Sequence, residues 1–314
     1  MGEFELIERW FAALGGRRGD VVLGVGDDAA IVQLPAGRQL VAAVDTLVEG
    51  RHFPAGSPAR SIGHRALAVN LSDLAAMGAE PGYALLALTL PRADDAWLRD
   101  FAAGFAALAE THGVALIGGD TTAGPLCISV TVLGSVAAGA ALTRAGAAPG
   151  DVVFVSGTPG DAAAGLPLPG RPAATAALRA RFEYPTPRIA LGRALAGVAS
   201  ACIDVSDGLA GDLGKIAAAS ACALEIEPEK LPLSASLLAS RCLADARQLA
   251  LTGGDDYELA FTVPEPLAGV LEDRLDAHVP ITRIGRVVAG RGLWLSSGGV
   301  VTQFAHRGFD HFAV

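Results

Sequence analysis

The sequence predicts an α/β protein of the α+β type with two domains. The chain has 314 residues, which is more than one compact core usually contains. In both halves, short apolar runs alternate with longer segments that carry apolar residues at helical spacing. Pro149-Gly150 interrupts this pattern near the middle of the chain, as expected at a domain boundary. We therefore predict domains over residues 1–148 and 149–314.

The elements of the first domain follow from its apolar pattern. Apolar residues recur at helical spacing from Phe4 to Leu14, and glycines at 15 and 16 end this helix. Short apolar runs predict strands, and one-sided apolar periodicity predicts helices. The further predictions are strands at 21–25, 29–33 and 40–44, a helix at about 59–77, a strand at 83–90, a helix at about 95–112, and strands at 114–117 and 126–136.

The second domain continues in the same style. The predictions are a strand at 152–156, a helix from Pro187, a strand at 201–205, a helix at 209–219, strands at 223–226 and 257–263, and a final helix with short strands. The stretch from Ala162 to Ala177 is rich in Ala, Gly and Pro, which predicts the most mobile segment of the chain. It is read as a loop or a lid, and the loop is favoured.

Composition excludes several classes of protein. The net charge is −9, whereas a nucleic-acid surface needs clustered Lys and Arg. Lys215 and Lys230 are the two lysines of the sequence, so phosphate contacts must depend on arginine, backbone amides or metal ions. The acidic N-terminal segment lacks the apolar region of a signal peptide, and no stretch has the pattern of a membrane span. A cytoplasmic protein without nucleic-acid or membrane partners is therefore expected.

Aspartates recur beside glycines, and several are expected at the ends of the apolar runs that predict strands. They are Asp27 and Asp28, Asp45, Asp120, Asp204 and Asp207, and Asp255 and Asp256, while Asp73 lies in an apolar helix one turn after Asn70. Each could cap a helix or a turn, because Asp accepts backbone N–H bonds there. If the aspartates instead converge, cations must offset their repulsion, and hard oxygen ligands suit Mg²⁺ bound with substrate phosphates. The pattern thus favours several magnesium ions that bridge a polyphosphate.

Well-known nucleotide motifs are missing from the sequence. No G-x-x-x-x-G-K-[ST] occurs, and the dinucleotide fingerprint fails after Gly24-Val25-Gly26. The protein-kinase signature set is also missing. A phosphate-transfer enzyme with this sequence must therefore have a different construction.

Two basic residues are candidates for phosphate contacts. His52 follows Asp45 by seven residues, and it is either an ordinary loop histidine or a donor to a substrate phosphate. Arg144 lies just before the predicted domain boundary, and its guanidinium suits phosphate recognition. An ordinary surface arginine is the alternative for Arg144.

Several segments in a fixed order resemble the thiamine-monophosphate kinase family. They are GVGDDAA, DTLVEGRHF, ALAVNLSDLAAMGAEP, LIGGDTT, LTRAGAAPGD, GTPGDAAAGL, DVSDGLAGDL and GGDDYEL. The resemblance runs nearly from end to end, and its specificity lies in the order and combination of these segments. It implies a two-domain fold like that of aminoimidazole ribonucleotide synthetase, with an N-terminal domain of the ATP-binding type. It also implies a homodimer in which the sheets of the N-terminal domains meet.

The resemblance also assigns residues to roles. It implies Mg²⁺ ligands at Asp28, Asp45, Asp73, Asp120, Asp204 and Asp207. It implies ATP contacts at Gly119, Asp120, Arg144 and Ser206, and thiamine-phosphate contacts at His52, Asp255 and Phe309. An aromatic face at Phe309 would suit the cationic thiazolium. Asp28, Asp207 and Arg144 are the residues expected to act directly in catalysis.

The sequence departs from the family pattern in two places. Relatives often carry hydroxyl residues just before the position of Asp45, where this chain has Ala43 and Val44. Asp255 stands where a Glu is common, so the charge is kept and the reach is shorter. We expect neither change to disable the site.

The implied reaction is a direct in-line transfer of the ATP γ-phosphoryl group to thiamine monophosphate. The acceptor oxygen is already ionised at neutral pH, so metal ions and positioning would lower most of the barrier. The alternatives are a sister enzyme of the superfamily, a nucleotide sensor without turnover, and a structural protein whose aspartates all cap helices. A selenophosphate synthetase is disfavoured, because no Cys or Lys precedes Cys127.

Overall fold

The structure is a computed structural model that describes residues 3–12, 14, 18–167, 174–275, 279–305 and 308. The described residues form two compact units. Unit 1 contains residues up to Leu74 and Ala79–Gly139, and unit 2 contains Ala75–Gly78 and residues from Ala140 onward. Both units combine helices with β-sheet, so the predicted α/β class is confirmed. Among the described residues, no helix is long and apolar enough to cross a membrane.

Unit 1 is built around a mixed sheet with two long helices. Its elements are α1 (Glu3–Trp10), β1 (Val21–Leu23), β2 (Ile31–Val32), β3 (Arg38–Val48), α2 (Ala59–Ala76, whose last residues belong to unit 2), β4 (Glu80–Leu90), α3 (Asp95–His112), β5 (Ala115–Ala123) and β6 (Cys127–Ala137). In the described part of unit 1, the larger sheet has the order β3-β6-β4-β5. The pairs β3–β6 and β6–β4 are antiparallel, and the pair β4–β5 is parallel.

The two faces of this sheet differ in burial. Every second residue of β6 is buried, at Ile128, Val130 and Val132, and this face belongs to the core. The other face leaves Leu40 and Val44 of β3 exposed. One face of unit 1 is thus a core and the other is open.

Helices α2 and α3 begin, end and meet for local reasons. Asp94 caps α3 by accepting hydrogen bonds from the amides of Ala96 and Trp97, and Gly113 ends the helix in a left-handed conformation. The helices approach each other at Gly63 of α2 and Gly104 of α3, where a Cβ atom would overlap the backbone of the facing helix. Glycine spacing therefore permits the close packing of α2 on α3.

Unit 2 is built around a larger mixed sheet. Its elements are β7 (Asp151–Ser156), α4 (Asp161–Gly165), α5 (Ala176–Glu183), α6 (Ile189–Leu195), β8 (Ala201–Val205), α7 (Leu209–Ala219), β9 (Ala223–Ile226), α8 (Ala235–Ser240), α9 (Leu243–Thr252), β10 (Glu258–Pro264), α10 (Glu265–Leu275), β11 (Ile281–Val288), β12 (Gly292–Ser297) and β13 (Val300–Gln303). Across the described residues, the strand order is β13-β12-β9-β11-β7-β10-β8. The pair β9–β12 is parallel, and the other neighbours are antiparallel.

The centre of unit 2 is apolar. Strand β7 is buried along its whole length, and Phe154 stacks on Phe261 of β10 with ring centroids 5.5 Å apart. Helix α7 follows β8 directly and buries Leu209, Leu213 and Ile216 in the same core. This strand-to-helix connection carries the segment DVSDGL.

The stretch from Ala162 to Ala177 differs from the prediction of a loop. Its first part lies in α4, where Ala162 and Ala164 are buried, and its last two residues begin α5. Gly165 lets the backbone of α4 approach Leu178 of α5 closely. Small residues here serve close helix packing, which composition alone does not distinguish from mobility. Residues 168–173 lie outside the described residues.

Candidate functional site

A cavity of about 970 Å³ lies within unit 1. Its polar lining includes the carboxylates of Asp27, Asp28 and Asp120 together with the hydroxyls of Thr121 and Ser129. The rest of the lining is mostly apolar side chains from α1, the sheet and the segment between β1 and β2. An apolar cavity with a few convergent polar groups is the usual form of a small-molecule site.

Strand pairing explains how Asp120 reaches this cavity. Asp120 is in register with Ala87 of β4, Ala87 with Ser129 of β6, and Ser129 with Thr46 of β3. Residues directly opposite each other share one face of a sheet, so these side chains form a row across the open face. The Thr46 and Ser129 hydroxyls are 2.7 Å apart and hydrogen-bond along this row.

Gly119 gives the backbone a conformation that other residues avoid. Its φ is +153°, and a Cβ atom there would overlap the backbone of Leu86 in the neighbouring strand. The strand therefore continues past Gly118-Gly119 to Ala123, so Asp120 lies inside β5 and not after its end. The expectation of an aspartate at a strand end is wrong for Asp120 and also for Asp45, which lies inside β3.

Asp28 lines the cavity from a loop that has little regular secondary structure. The segment from Gly24 to Ala30 contains isolated bridges and turns between β1 and β2. Asp28 donates its backbone N–H to the Asp27 carboxylate at 2.8 Å, and both residues are exposed. Within unit 1, the structure thus brings Asp28, Gly119 and Asp120 to one cavity.

Asp45 and Asp73 lie elsewhere in unit 1. The backbone N–H of Asp45 donates to the side-chain oxygen of Asn70 at 2.7 Å, and Asp73 follows Asn70 by one turn of α2. Because side chains alternate along β3, Asp45 projects from the face opposite to Thr46 and Asp120. The sheet therefore separates the Asp45–Asp73 side from the cavity side.

His52 has a defined hydrogen-bonding state. Its Nδ1 accepts the backbone N–H of Val48 at 3.0 Å. A neutral imidazole with an accepting Nδ1 carries its proton on Nε2. The contact therefore places the proton of a neutral His52 side chain on Nε2.

Two aspartate-rich segments lie side by side in unit 2. The backbone N–H of Asp255 donates to the carbonyl of Ser206 at 2.9 Å, and that of Tyr257 donates to Val205 at 2.8 Å. Asp204, in β8, is in register with Leu259 of β10. The structure thus brings Ser206 and Asp207 next to Asp255.

Asp212 and Lys215 also belong to this part of unit 2, and the sequence analysis missed both. The Asp212 carboxylate accepts the backbone amides of Ser206 and Asp207, each at 3.0 Å. Lys215 donates to Asp207 at 2.7 Å and to Asp212 at 2.8 Å. Burial lowers the pKa of Lys215, but the nearby Asp212 and Asp207 outweigh it and raise this pKa overall. The sequence signal was the helical spacing of Asp212 and Lys215 directly after DVSDGL.

The segment GGDDYEL contains two fully buried acidic residues, Asp256 and Glu258. Glu258 is fully buried, and it accepts hydrogen bonds from Arg181, Arg188 and Ser156. Asp256 is also fully buried, and burial raises its pKa well above the usual range. These partners lie 70 to 102 residues from Glu258 in sequence, so spacing gives no sign of them.

Arg144 and Phe309 complete the predicted residues. Arg144 is exposed in unit 2, and its carbonyl accepts the Ser220 hydroxyl at 3.1 Å. The same hydroxyl accepts the amides of Gly146 and Ala147, which fixes the backbone that follows Arg144. Phe309 lies outside the described residues.

The residues present fit magnesium by the chemistry of their donor atoms. Mg²⁺ is usually held by one or two carboxylates with waters and substrate phosphates, and the cavity offers Asp28 and Asp120. In unit 2, the Asp207 carboxylate holds the Lys215 ammonium, so this position favours a cation. Among the described residues, however, no three His, Cys, Asp or Glu side chains gather into a group that could hold a metal. Metal binding at either position would therefore include oxygens of water or of substrate phosphates.

Comparisons with known proteins agree with this picture. Family models described as "AIR synthase related protein", N-terminal and C-terminal domains, match residues 26–136 and 148–296. The thiamine-monophosphate kinase of Salmonella typhimurium strain LT2 is 45% identical over 320 residues, which cover 99% of this chain and 98% of that protein. A crystal structure of thiamine-monophosphate kinase from Stenotrophomonas maltophilia K279a is 48% identical with a TM-score of 0.84, and the match covers 89% of this chain and 92% of that one. A structure described as AaThiL complexed with AMPPCP and TMP is 33% identical with a TM-score of 0.78 and 92% coverage of both chains.

Proposed function

The chain belongs to the thiamine-monophosphate kinase family, and we propose that it transfers the γ-phosphoryl group of ATP to thiamine monophosphate in a Mg²⁺-dependent reaction. The products are thiamine diphosphate and ADP. The similarity over the full length to thiamine-monophosphate kinases carries this proposal. The AMPPCP and TMP of the AaThiL complex correspond to a nucleotide donor and a thiamine phosphate acceptor.

In unit 1, the cavity supports a role in nucleotide and metal binding. Asp28 and Asp120 would hold Mg²⁺ there, and Asp45 and Asp73 would hold it on the other side of the sheet. Bound Mg²⁺ neutralises phosphate charge and so lowers the repulsion between donor and acceptor. Gly119 lines the same cavity, and its lack of a side chain lets β5 pair closely with β4 at Leu86.

The acceptor phosphate needs little help from a base. Its oxygens are already ionised near neutral pH, so a direct in-line attack requires no proton removal. His52 would donate from Nε2 to a phosphate oxygen that does not react, because Val48 occupies its Nδ1. These residues position the acceptor, and they do not activate it.

In unit 2, the DVSDGL and GGDDYEL segments support the remaining roles. Ser206 and Arg144 would contact ATP, Asp204 and Asp207 would hold Mg²⁺, and Asp255 would contact thiamine monophosphate. Arg144 is exposed on backbone fixed by Ser220, so its guanidinium can reach a phosphate without losing a buried partner. Phe309 would stack on an aromatic ring of the acceptor.

We assign residues 1–148 to dimerisation and to magnesium and nucleotide binding, and residues 149–314 to completion of the nucleotide and substrate sites. The open face of the unit 1 sheet supports a homodimer. Leu40 is 50% and Val44 is 60% exposed on this face. Apolar side chains on an unpaired sheet face are typical of an interface between subunits. A cytoplasmic location is part of the same proposal, in line with the family's small-molecule chemistry.

A product assay tests this function. Purified protein is mixed with ATP, Mg²⁺ and thiamine monophosphate, and the thiamine products are separated and measured. Parallel reactions contain thiamine in place of the monophosphate, or no metal. We expect metal-dependent thiamine diphosphate from the monophosphate, and no product from thiamine, because a hydroxyl acceptor would first have to lose a proton.

Other outcomes identify the competing functions. ATP binding without any product would favour a nucleotide sensor, for which Ala43 and Val44 beside Asp45 are the relevant departures. Turnover of ATP with a different acceptor would favour a sister enzyme of the superfamily. Thiamine diphosphate formed equally without metal would contradict the proposed role of the aspartates.

A further inference from the structure

Asp207, Asp212 and Lys215 form a group at the start of α7 that we name the carboxylate–lysine triad. The Lys215 ammonium lies 2.7 Å from Asp207 Oδ2 and 2.8 Å from Asp212 Oδ1. The Asp212 side chain is almost fully buried, whereas those of Asp207 and Lys215 are about one third exposed. The triad thus joins a buried anchor to a carboxylate that is open to ligands.

The two oxygens of Asp212 have different partners. Oδ2 accepts the backbone amides of Ser206 and Asp207, which fixes the turn that carries the Asp207 side chain. Oδ1 accepts the Lys215 ammonium, three residues further along the helix. Asp212 therefore sets the positions of both the carboxylate and the cation that faces it.

The Lys215 ammonium lies between two carboxylates, a position that would also attract a divalent cation. Its contact uses Oδ2 of Asp207, so Oδ1 can still bind a metal ion. An ammonium this close to a metal ligand repels the metal and reduces the negative charge that the metal meets. We propose that Asp212 is a positioning residue that holds Lys215 beside Asp207, and that Lys215 weakens divalent-cation binding at Asp207 and so keeps the metal exchangeable between turnovers.

This inference rests on the proposed role of Asp207 as a metal ligand. It adds residues to that role, because neither Asp212 nor Lys215 belongs to the predicted ligand set. A purely structural reading is also available, in which the ion pair only stabilises the start of α7. The two readings differ in the sign of the effect on metal affinity.

Mn²⁺ binding to the full-length protein, measured by calorimetry without nucleotide, separates these readings. Lys215→Met should bind Mn²⁺ more tightly by about ten-fold, because a repelling charge is gone. Asp212→Asn should bind it more weakly, since one oxygen can still accept the two amides while a negative charge is lost. A structural disturbance of the turn would weaken binding in both variants.

Two controls make the measurement specific. Lys230→Met changes the other lysine, which pairs with Glu227 and not with Asp207 or Asp212, and it should leave Mn²⁺ affinity unchanged. In an Asp207→Asn background, Lys215→Met should have no further effect, since the ligand that it acts on has been removed. Lys215→Gln replaces the Met variant if that protein does not fold.

Three outcomes would overturn the inference. They are unchanged or weaker Mn²⁺ binding in the Lys215 variants, an equal effect of Lys215→Met with and without Asp207, and no Mn²⁺ binding by the wild type. The titration contains no substrate, so it is independent of the product assay. A failed product assay with a positive titration would reject the proposed reaction and keep the triad.

Discussion

The tripeptide Gly-Asp-Asp occurs once in each unit, and the two copies have opposite surroundings. In unit 1, Gly26-Asp27-Asp28 lies between short strands, and both carboxylates are exposed at the cavity. The Asp28 amide donates to the neighbouring Asp27 side chain, and Asp27 forms an isolated backbone bridge with Val25. These carboxylates face outward and are open to ligands.

In unit 2, Gly254-Asp255-Asp256 is held tightly. Asp256 is fully buried, and its carboxylate accepts the amides of Gly160 at 2.6 Å and Ala162 at 3.1 Å. Asp255, next to it, has a left-handed backbone with φ of 72°. One aspartate thus anchors the segment, while its neighbour Asp255 is only partly buried.

The same tripeptide, Gly-Asp-Asp, can therefore present carboxylates to a ligand or hold the backbone in place through a buried carboxylate. The sequence analysis offered helix and turn capping as the alternative to metal binding, and Asp256 does bind backbone amides. Asp27 and Asp28 have no such buried amide partners among the described residues. Burial and amide contacts, and not the tripeptide itself, separate the two roles.

The largest expected effect is on Asp28, in the exposed copy. Asp28→Asn should lower turnover by about 100-fold to 1,000-fold, because a carboxylate that offsets metal and phosphate charge is lost. The free energy of unfolding should stay within about 0.5 kcal/mol of wild type, since the side chain is exposed. Steady-state rates of thiamine diphosphate formation and urea unfolding measure the two quantities.

Asp100→Asn is the matched control for Asp28. Asp100 belongs to the same unit, and its half-exposed side chain pairs with the neighbouring Arg99. It should change neither turnover nor stability. An Asp28→Asn/Asp207→Asn protein that folds and keeps nearly normal turnover would reject the metal role of both residues.

The next effect is on Asp256, in the buried copy, and it is expected in stability. Asp256→Ala should lower the free energy of unfolding of unit 2 by about 3 kcal/mol, since two buried amides lose their acceptor. Trp294 lies in unit 2, whereas Trp10 and Trp97 lie in unit 1. Replacing the latter two by Phe lets fluorescence follow unit 2 during urea unfolding.

Asp245→Ala provides the comparison for this loss. Asp245 is exposed in the first turn of α9, so its removal should change stability by about 0.5 kcal/mol or less. Equal losses in the two variants would show that the amide contacts of Asp256 contribute nothing measurable. The anchoring role of the second tripeptide would then be wrong.

The burial of Asp256 also predicts how the free energy of unfolding depends on pH. Burial raises the pKa of Asp256 well above its ordinary value of 3.8, so the folded protein keeps a proton that the unfolded chain has lost. The contribution of Asp256 to the free energy of unfolding is therefore greatest below pH 3.8, and it decreases as the pH rises through the pKa of the folded state. Asp256→Asn does not titrate, so its deficit relative to wild type should narrow as urea unfolding is repeated from pH 4 upward. A deficit that stays constant would contradict the raised pKa.

Much of the fold could be predicted because its longer elements have clear periods and clear ends. The long helices α2 and α3, together with β8, α7 and β9, lie at or within a residue of their predicted bounds. In α3, the cap at Asp94 and the left-handed Gly113 mark both ends. The short helices α4, α5, α8 and α9 were missed, since a few turns give little periodicity and depend on tertiary packing.

The site was less predictable, because its geometry depends on pairing between distant strands. The apolar run predicts that β5 ends at residue 117, but pairing with β4 continues the strand through Gly119 and Asp120. That continuation fixes the face from which Asp120 projects. The buried contacts of Glu258 with Arg181 and Arg188 were invisible for the same reason. Residue types and order were enough for the family resemblance, whereas faces and buried partners required the structure.

The smallest expected effect is at Asp255, where two variants distinguish the contribution of the backbone conformation from that of the carboxylate. Asp255→Gly suits the left-handed backbone and Asp255→Ala does not, so Ala should be less stable than Gly by about 1 kcal/mol. Both variants lose the carboxylate, and both should raise KM for thiamine monophosphate by about ten-fold with a smaller effect on kcat. Urea unfolding followed through Trp294 and steady-state kinetics measure these changes. If KM instead follows stability, and Gly retains the wild-type value, then Asp255 acts through its backbone, and its assignment as a substrate contact is wrong.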